Sequence, residues 1–247
     1  ESNLDTMARM PDNFIDLTVT SPPYDNLRTY NGYCFDFENV AKELFRVTKQ
    51  GGVVVWVVSD ATINGSETGT SFKQALYFMQ CGFNLHDTMI FRKKNPIPQI
   101  YRKRYNNEFE YMFVFSKGVV KTHNPLMVDC LHAGLELNGT TYKNYSKNEQ
   151  TREKMANPVK AQKIKGNIWE YVVGTKQEYQ EAKGHPAMFP EQLANDHILS
   201  WSNENDIVYD PFMGSGTTAK MAIVNNRNWI GSEISSEYVE LANKRLD

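Results

Sequence analysis

Two short stretches of the 247-residue sequence, far apart in the chain, carry residue types suited to chemistry on a ring that bears an amine. In Thr20-Ser21-Pro22-Pro23-Tyr24 a hydroxyl and an aromatic ring flank two prolines. The prolines fix φ and supply no N–H donors, so the carbonyls of Ser21 and Pro22 are held in a stiff, extended turn. A rigid acceptor beside a hydroxyl and an aromatic face suits a planar amino-bearing ring. A lone Pro-Pro-Tyr has a second reading as a structural turn whose Tyr24 packs on the core. The other stretch is Asp210-Pro211-Phe212-Met213-Gly214-Ser215-Gly216-Thr217-Thr218. Its glycines let the backbone approach a ligand closely and present amide N–H groups at the start of a helix. Glu233 lies 17 residues beyond Gly216, near the roughly 20-residue offset at which an acid binds ribose hydroxyls in dinucleotide folds. Together they describe a nucleoside site, although Gly-x-Gly alone is also an ordinary strand-to-helix turn. Thr218-Ala219 replaces the third glycine of the dinucleotide fingerprint, which favours a nucleoside without a pyrophosphate.

Such loops need strands to hold them. Phe14 to Thr20 is a β-rich run that ends at Pro22-Pro23. Phe37 to Val47 spaces Val40, Ala41, Leu44, Phe45 and Val47 at helical period, with Gly51-Gly52 as a stop before the apolar strand Val53 to Val58. That run reads as buried on both faces, as in a parallel sheet. Ser71 to Gln80 reads as a helix, and Leu85 to Phe91 and Glu108 to Ser116 as strands. Ser59-Asp60 reads as a helix-capping turn. From about Lys117 to Lys183 the chain is polar, rich in Asn, Lys and Tyr, and without sustained period, which marks an insert. Beyond it come a helix from Pro190 to Trp201, a strand at Ile207 to Tyr209, a helix from Gly216 to Asn225, a strand at Trp229 to Ser232 and a helix from Ser236 to Arg245. The alternation predicts an α/β fold with a doubly wound, mainly parallel sheet.

Composition and charge narrow the function classes. Hydrophobic residues make up 40% and charged residues 23%, the range of ordinary globular proteins. Cys34, Cys81 and Cys130 form no Cys-x-x-Cys pair, which argues against a disulfide scaffold or a zinc site and for a reducing, cytoplasmic compartment. No apolar stretch is long enough to span a bilayer, and Glu1 onward has no signal-peptide pattern. The net charge is −2, yet residues 88–107 hold six cations and no acid, and residues 143–165 hold seven cations and two acids. Tyr101, Tyr105, Tyr142 and Tyr145 interleave with them. Local cations of this kind release counterions from a polyanion; the alternative is a pair of solvated loops. Candidate phosphate contacts are Arg28, Arg92, Lys93, Lys94, Arg102, Lys103, Arg104, Lys143, Lys147, Arg152, Lys160 and Lys163.

Asp-Pro-Phe-x-Gly-Ser-Gly-Thr-Thr together with Thr-Ser-Pro-Pro-Tyr resembles the S-adenosylmethionine-dependent DNA methyltransferases that modify exocyclic amino groups. The order of parts is similar to the permuted beta class, and His185-Pro186-Ala187-Met188-Phe189-Pro190 resembles a further cofactor-side motif of that family. The resemblance implies a Rossmann-like methyltransferase domain in two halves, 1–116 catalytic and 184–247 cofactor-binding, around a target-recognition insert at 117–183. It implies that Asp210, Pro211, Phe212, Gly214, Ser215, Gly216, Thr217 and Thr218 hold the methionine portion of S-adenosylmethionine, with Phe212 at its adenine or sulfonium region. Glu233 would take the ribose hydroxyls, and His185, Pro186 and Ala187 would line the methionine end. Family members begin with a strand leading into an acidic adenine-binding motif, and Glu1 stands where that acid is expected. Ser21 and the Pro22 carbonyl would hydrogen-bond the target amine, Pro23 would stiffen the loop, and Tyr24 would stack on a base flipped out of double-stranded DNA.

A Ser-Pro-Pro-Tyr loop is more typical of the cytosine N4 members and Asp-Pro-Pro-Tyr of the adenine N6 members. An ionised Asp only accepts, whereas a Ser hydroxyl accepts from an amine while donating to a ring nitrogen. Cytosine N4 is therefore the expected target, with adenine N6 as runner-up. The resemblance also brings a homodimer and a cognate restriction endonuclease into view as partners. Competing classes are a nicotinamide oxidoreductase, a non-catalytic DNA-binding module, and a protein or RNA amine methyltransferase.

Overall fold

β1 (Ile15–Thr20) is the strand that the run before Pro22-Pro23 predicts, and five of its six residues are buried. The computed structural model in which it is seen describes residues 1–23, 35–98, 103–134, 141–144, 151–154, 159–174 and 190–247. These form two units, Glu1–Asn124 with Asn167–Asp247, and Pro125–Gly166.

In the larger unit α1 (Asn3–Ala8) precedes β1, and α2 (Phe37–Val47) follows it. α2 buries Val40, Ala41, Leu44 and Val47, and its N-terminus is capped by Asp36, whose carboxylate accepts from the Asn39 amide at 3.3 Å. At the other end Lys117 donates to the Phe45 carbonyl at 2.7 Å with its ammonium 4.7 Å from the Phe45 ring centre. Burial holds the Lys117 pKa below the usual lysine range. β2 (Thr48–Val58) starts directly at the end of α2. The sequence places a stop at Gly51-Gly52; instead both glycines lie in the strand. Gly51 has φ +79°, and a Cβ there would sit 2.7 Å from the Lys121 Cβ, while one on Gly52 would sit 2.9 Å from the Asp16 carbonyl. The glycines thus admit neighbouring chain rather than ending an element.

A two-stranded hairpin, β3 (Thr62–Ile63) and β4 (Ser66–Glu67), leads to α3 (Thr70–Gln80). The N-cap, Gly69, has no side chain, so Asp60 takes that role: its carboxylate accepts from the Ser71 amide at 2.9 Å and the Ser71 hydroxyl at 2.5 Å. Then come β5 (Asn84–Lys93) and β6 (Phe109–Ser116). In the smaller unit β7 (Met127–Asp129) pairs antiparallel with β10 (Gln162–Ile164), and β8 (Thr141–Asn144) with β9 (Thr151–Lys154). β11 (Ile168–Tyr171) lies within the stretch read as an insert, yet it is a strand of the main sheet, parallel to β5, with Trp169 and Tyr171 buried. The remainder alternates as expected: α4 (Glu191–Trp201), β12 (Ile207–Asp210), α5 (Thr217–Val224), β13 (Asn228–Gly231) and α6 (Ser236–Leu246).

Among the described residues the main sheet has seven strands in the order β11-β5-β6-β2-β1-β12-β13. β6 is antiparallel to both neighbours and every other pairing is parallel. β2 is buried from Val53 through Val58 because it lies between two strands with layers on both faces. On one face Trp56, Phe78, Phe83 and Phe115 interlock, with Phe78 stacked on Phe115 at 4.6 Å and edge-on to Trp56 at 5.0 Å. From β1 the chain runs through α2 to β2 on one side, whereas β12 leads through α5 to β13 on the other. The crossovers diverge between β1 and β12, the switch point at which open α/β sheets bind ligands beyond the carboxyl ends of their strands.

Candidate active site

β1 and β12 are hydrogen-bonded parallel neighbours, with Leu17 opposite Val208 and Thr18 opposite Tyr209. Their C-terminal ends therefore open on the same edge of the sheet, and the two motif loops leave from that edge side by side. Thr20, the last residue of β1, donates its hydroxyl to the Asp210 carboxylate at 2.6 Å, and Thr218 in the first turn of α5 donates to the Val19 carbonyl at 3.1 Å. These two bonds pin the start of Ser21-Pro22-Pro23 to both ends of the glycine loop. Ser21 and Pro23 are half-buried and Pro22 is buried. Tyr24 lies outside the described residues, as do Arg28, Arg102, Lys147, His185, Pro186 and Ala187.

Asp210 is 2% exposed, and its carboxylate also accepts from the Phe212 amide at 3.0 Å. Burial pushes its pKa up to about 6 against the opposing pull of the Thr20, Phe212 and Thr218 donors. Desolvation wins over hydrogen bonding here. The exit of β13 stitches the glycine loop from below. The Ser232 amide donates to the Asp210 carbonyl at 3.0 Å, the Met213 amide to the Ser232 carbonyl at 2.9 Å, and the Tyr209 and Ser232 hydroxyls are 2.9 Å apart. Burial holds the Tyr209 phenol protonated well above its usual range.

Glu233 accepts from the Gly214 amide at 2.9 Å and from the Ser235 amide at 2.8 Å, one on each carboxylate oxygen. Each oxygen keeps a second lone pair for a ligand hydroxyl. Gly214 and Gly216 have φ of +51° and +81°, conformations that strain any residue with a Cβ. At Gly216 a Cβ would also meet that of Ala242 at 3.2 Å. Phe212 packs edge-on against Phe35 at 5.2 Å and Trp56 at 6.1 Å, so one side of its ring is committed to the core.

Two residues at this edge were not anticipated. Asn3 on α1 donates to the Pro211 carbonyl at 3.2 Å and is 4% exposed, and its Oδ1 is a buried acceptor with no hydrogen-bond partner among the described residues. The signal for α1 is Ser2-x-x-Asp5, whose hydroxyl accepts from the Asp5 amide at 3.2 Å and donates to its carboxylate at 2.8 Å. Arg245 on α6 donates to the carbonyl and hydroxyl of Ser215 at 2.6 and 2.9 Å. Glu1 stands nearby: its backbone nitrogen donates to the Glu233 carbonyl at 2.8 Å. Its carboxylate takes hydrogen bonds from Arg9 and Thr6, which lower its pKa.

The candidate phosphate contacts divide by environment. Arg92 pairs with Glu170 at 3.0 Å and Glu108 at 3.8 Å, and Lys93 with Glu110 at 2.8 Å, so the sheet supplies acids that the local sequence lacks. Lys94 and Lys103 are exposed. Arg104 reaches the β3–β4 hairpin, bonding the Gly65 carbonyl and Glu67, and with Lys103, Thr62 and Gly65 it lines an open cleft of about 390 Å³. In the smaller unit Lys160 and Lys163 are exposed, and Lys143 is the register partner of Arg152.

A doubly wound sheet with two loops joined at its switch point is the frame of a ligand-binding α/β protein, and comparison with known proteins supplies the family. Residues 15–244 match the N6/N4 family of DNA methylases, and the chain belongs to that family. It is 57% identical over 236 residues, 94% of this chain and 88% of the relative, to the orphan methyltransferase M.BamHII of Bacillus amyloliquefaciens. The cytosine-N4-specific PvuII DNA methyltransferase shares the fold at a TM-score of 0.73 and 20% identity, covering 99% of this chain and 84% of that one. The M1.HpyAVI complex with S-adenosylmethionine superposes at 0.59 with 25% identity, covering 95% and 89%. The chain is thus a DNA methyltransferase of the N6/N4 class.

Proposed function

We propose that this chain moves a methyl group from S-adenosylmethionine to the N4 amine of cytosine in double-stranded DNA. The observation that carries the reading is the Thr20–Asp210 hydrogen bond of 2.6 Å, which joins a hydroxyl-bearing proline loop to a glycine loop at one switch point. Two features suit the methyl donor. Glycine at 214 and 216, both at positive φ, puts no Cβ at those two points of the loop, and Asn3 Oδ1, without a partner among the described residues, is a buried acceptor beside Pro211. M1.HpyAVI, a relative of the same fold, has been solved with this molecule.

In this reading Asp210 to Thr218 hold the methionine portion, Glu233 the ribose, and His185, Pro186 and Ala187 the methionine end, with Glu1 toward the adenine. Bound S-adenosylmethionine supplies an electrophilic methyl carbon whose bond to sulfur is replaced by one to the amine nitrogen. An exocyclic amine is a weak nucleophile because its lone pair is delocalised into the ring. The Ser21 hydroxyl and Pro22 carbonyl accept hydrogen bonds from its N–H groups, draw density onto nitrogen and align it for in-line attack. The spare proton leaves for solvent after transfer, so no strong base is required. Tyr24 stacks on the extruded base, and Pro23 keeps the loop stiff. Ser21 rather than Asp at the head of the loop favours cytosine, since its hydroxyl accepts from the amine and donates to the ring nitrogen. Nucleoside mass spectrometry of duplex DNA after incubation with enzyme and donor tests this. N4-methylcytosine is expected; N6-methyladenine as the sole product would reverse the base assignment.

A further inference from the structure

Arg245 stands near the end of α6, outside every motif that the sequence displays, yet its side chain is only 3% exposed. Its guanidinium faces the acceptor side of the glycine loop: Nη1 donates to the Ser215 carbonyl at 2.6 Å, the Ser215 hydroxyl at 2.9 Å and the Thr217 hydroxyl at 3.4 Å. Nη2 donates to Glu191 at 2.7 Å. Glu191 opens α4 directly after Pro190, the last residue of the His185-Pro-Ala-Met-Phe-Pro stretch. One side chain therefore ties the glycine loop to the start of α4.

We infer that Arg245 is a positioning residue for S-adenosylmethionine. The inference rests on the reading that the glycine loop holds this cofactor. Arg245 clamps Ser215 and Thr217 to the start of α4, so that the glycine loop meets the ligand in one fixed arrangement. Neutralising Glu191 does not require it, because Lys220 already donates to the same carboxylate oxygen at 2.8 Å. What Arg245 adds is rigidity in a loop whose glycines are otherwise free to adopt many conformations. A guanidinium only donates, so it occupies oxygens of the loop and takes none of the amide donors that a ligand needs. Lysine is not equivalent, since a point charge cannot span Ser215 and Glu191 as a planar fork does.

The test is isothermal titration calorimetry with S-adenosylhomocysteine, alongside steady-state methylation of duplex DNA, on Arg245→Lys and Gly216→Val with their unfolding midpoints. Arg245→Lys should weaken binding at least tenfold and raise KM for S-adenosylmethionine in parallel. Its kcat at saturating donor and its KM for DNA should stay within twofold. Unchanged cofactor affinity in Arg245→Lys, or a fall in kcat at constant KM, would overturn the proposal. Glu191→Ala keeps the Ser215 contacts and removes one anchor; it should weaken binding about threefold, and wild-type affinity there would also count against the clamp. If Gly216→Val binds as tightly as wild type, the glycine-loop reading fails and the role of Arg245 falls with it; lost affinity in Gly216→Val beside wild-type affinity in Arg245→Lys overturns the role of Arg245 alone.

Discussion

Replacing Asp210 by asparagine separates the two effects that oppose each other at the junction of the loops. Burial raises the pKa of this carboxyl from 3.8 to about 6, while the Thr20, Phe212 and Thr218 donors pull it down. A raised pKa means that the folded state binds the proton more tightly than the unfolded chain. The stability this group contributes is fully present below about pH 4 and is lost as pH rises through about 6. A shift of about two units corresponds to about 3 kcal/mol, an order-of-magnitude figure. Asparagine keeps the Oδ1 acceptor for Thr20 and Phe212 and does not titrate. Urea unfolding of both proteins at pH 4, 5, 6 and 7 should therefore show the asparagine variant gaining on wild type by about 3 kcal/mol across that window. A constant difference at all four pH values would refute the reasoning. So would wild type gaining on the variant, because hydrogen bonding would then outweigh desolvation.

Further outcomes follow from other parts of the structure. Ser21→Ala should lower kcat by about 10²-fold, the cost of one preorganised polar partner, with S-adenosylhomocysteine affinity within twofold by calorimetry. Phe78, fully buried against Trp56 and Phe115, should cost about 3–5 kcal/mol as Phe78→Ala in urea unfolding. Lys103→Ala should flatten the salt dependence of duplex binding by about one unit of log K against log salt. Arg92→Ala should leave that slope unchanged, because Glu108 and Glu170 already neutralise its charge; equal changes in the two variants would contradict the division.

Legibility followed the range of the interactions. Val40, Ala41, Leu44 and Val47 advertise α2 because one helix face is buried, and the unbroken apolar run Val53 to Val58 of β2 advertises a central strand. α1 has only six residues, too few for a period, and β11 has four within a polar stretch, so neither stood out. The ends of β1 and β12 were readable because prolines and glycines follow them, whereas Gly51-Gly52 lie inside β2 and misplaced its start; the convergence of β1 and β12 follows from the alternation of strands and helices. Arg245 was invisible because its partners Ser215 and Glu191 lie 30 and 54 residues away. A still longer separation hid Glu170, 78 residues from Arg92, so the ion pairing of the first basic segment was not read.

Methyl transfer requires both loops to serve one reaction centre, and a crystal structure with duplex DNA and the amine-bearing cofactor analogue sinefungin measures that directly. The analogue should lie along Asp210 to Thr218, with its amine about 3–3.5 Å from N4 of an extruded cytosine and Ser21 hydrogen-bonded to that same nitrogen. A ligand seated away from the glycine loop, or an extruded base whose exocyclic nitrogen is out of reach of Ser21, would contradict it.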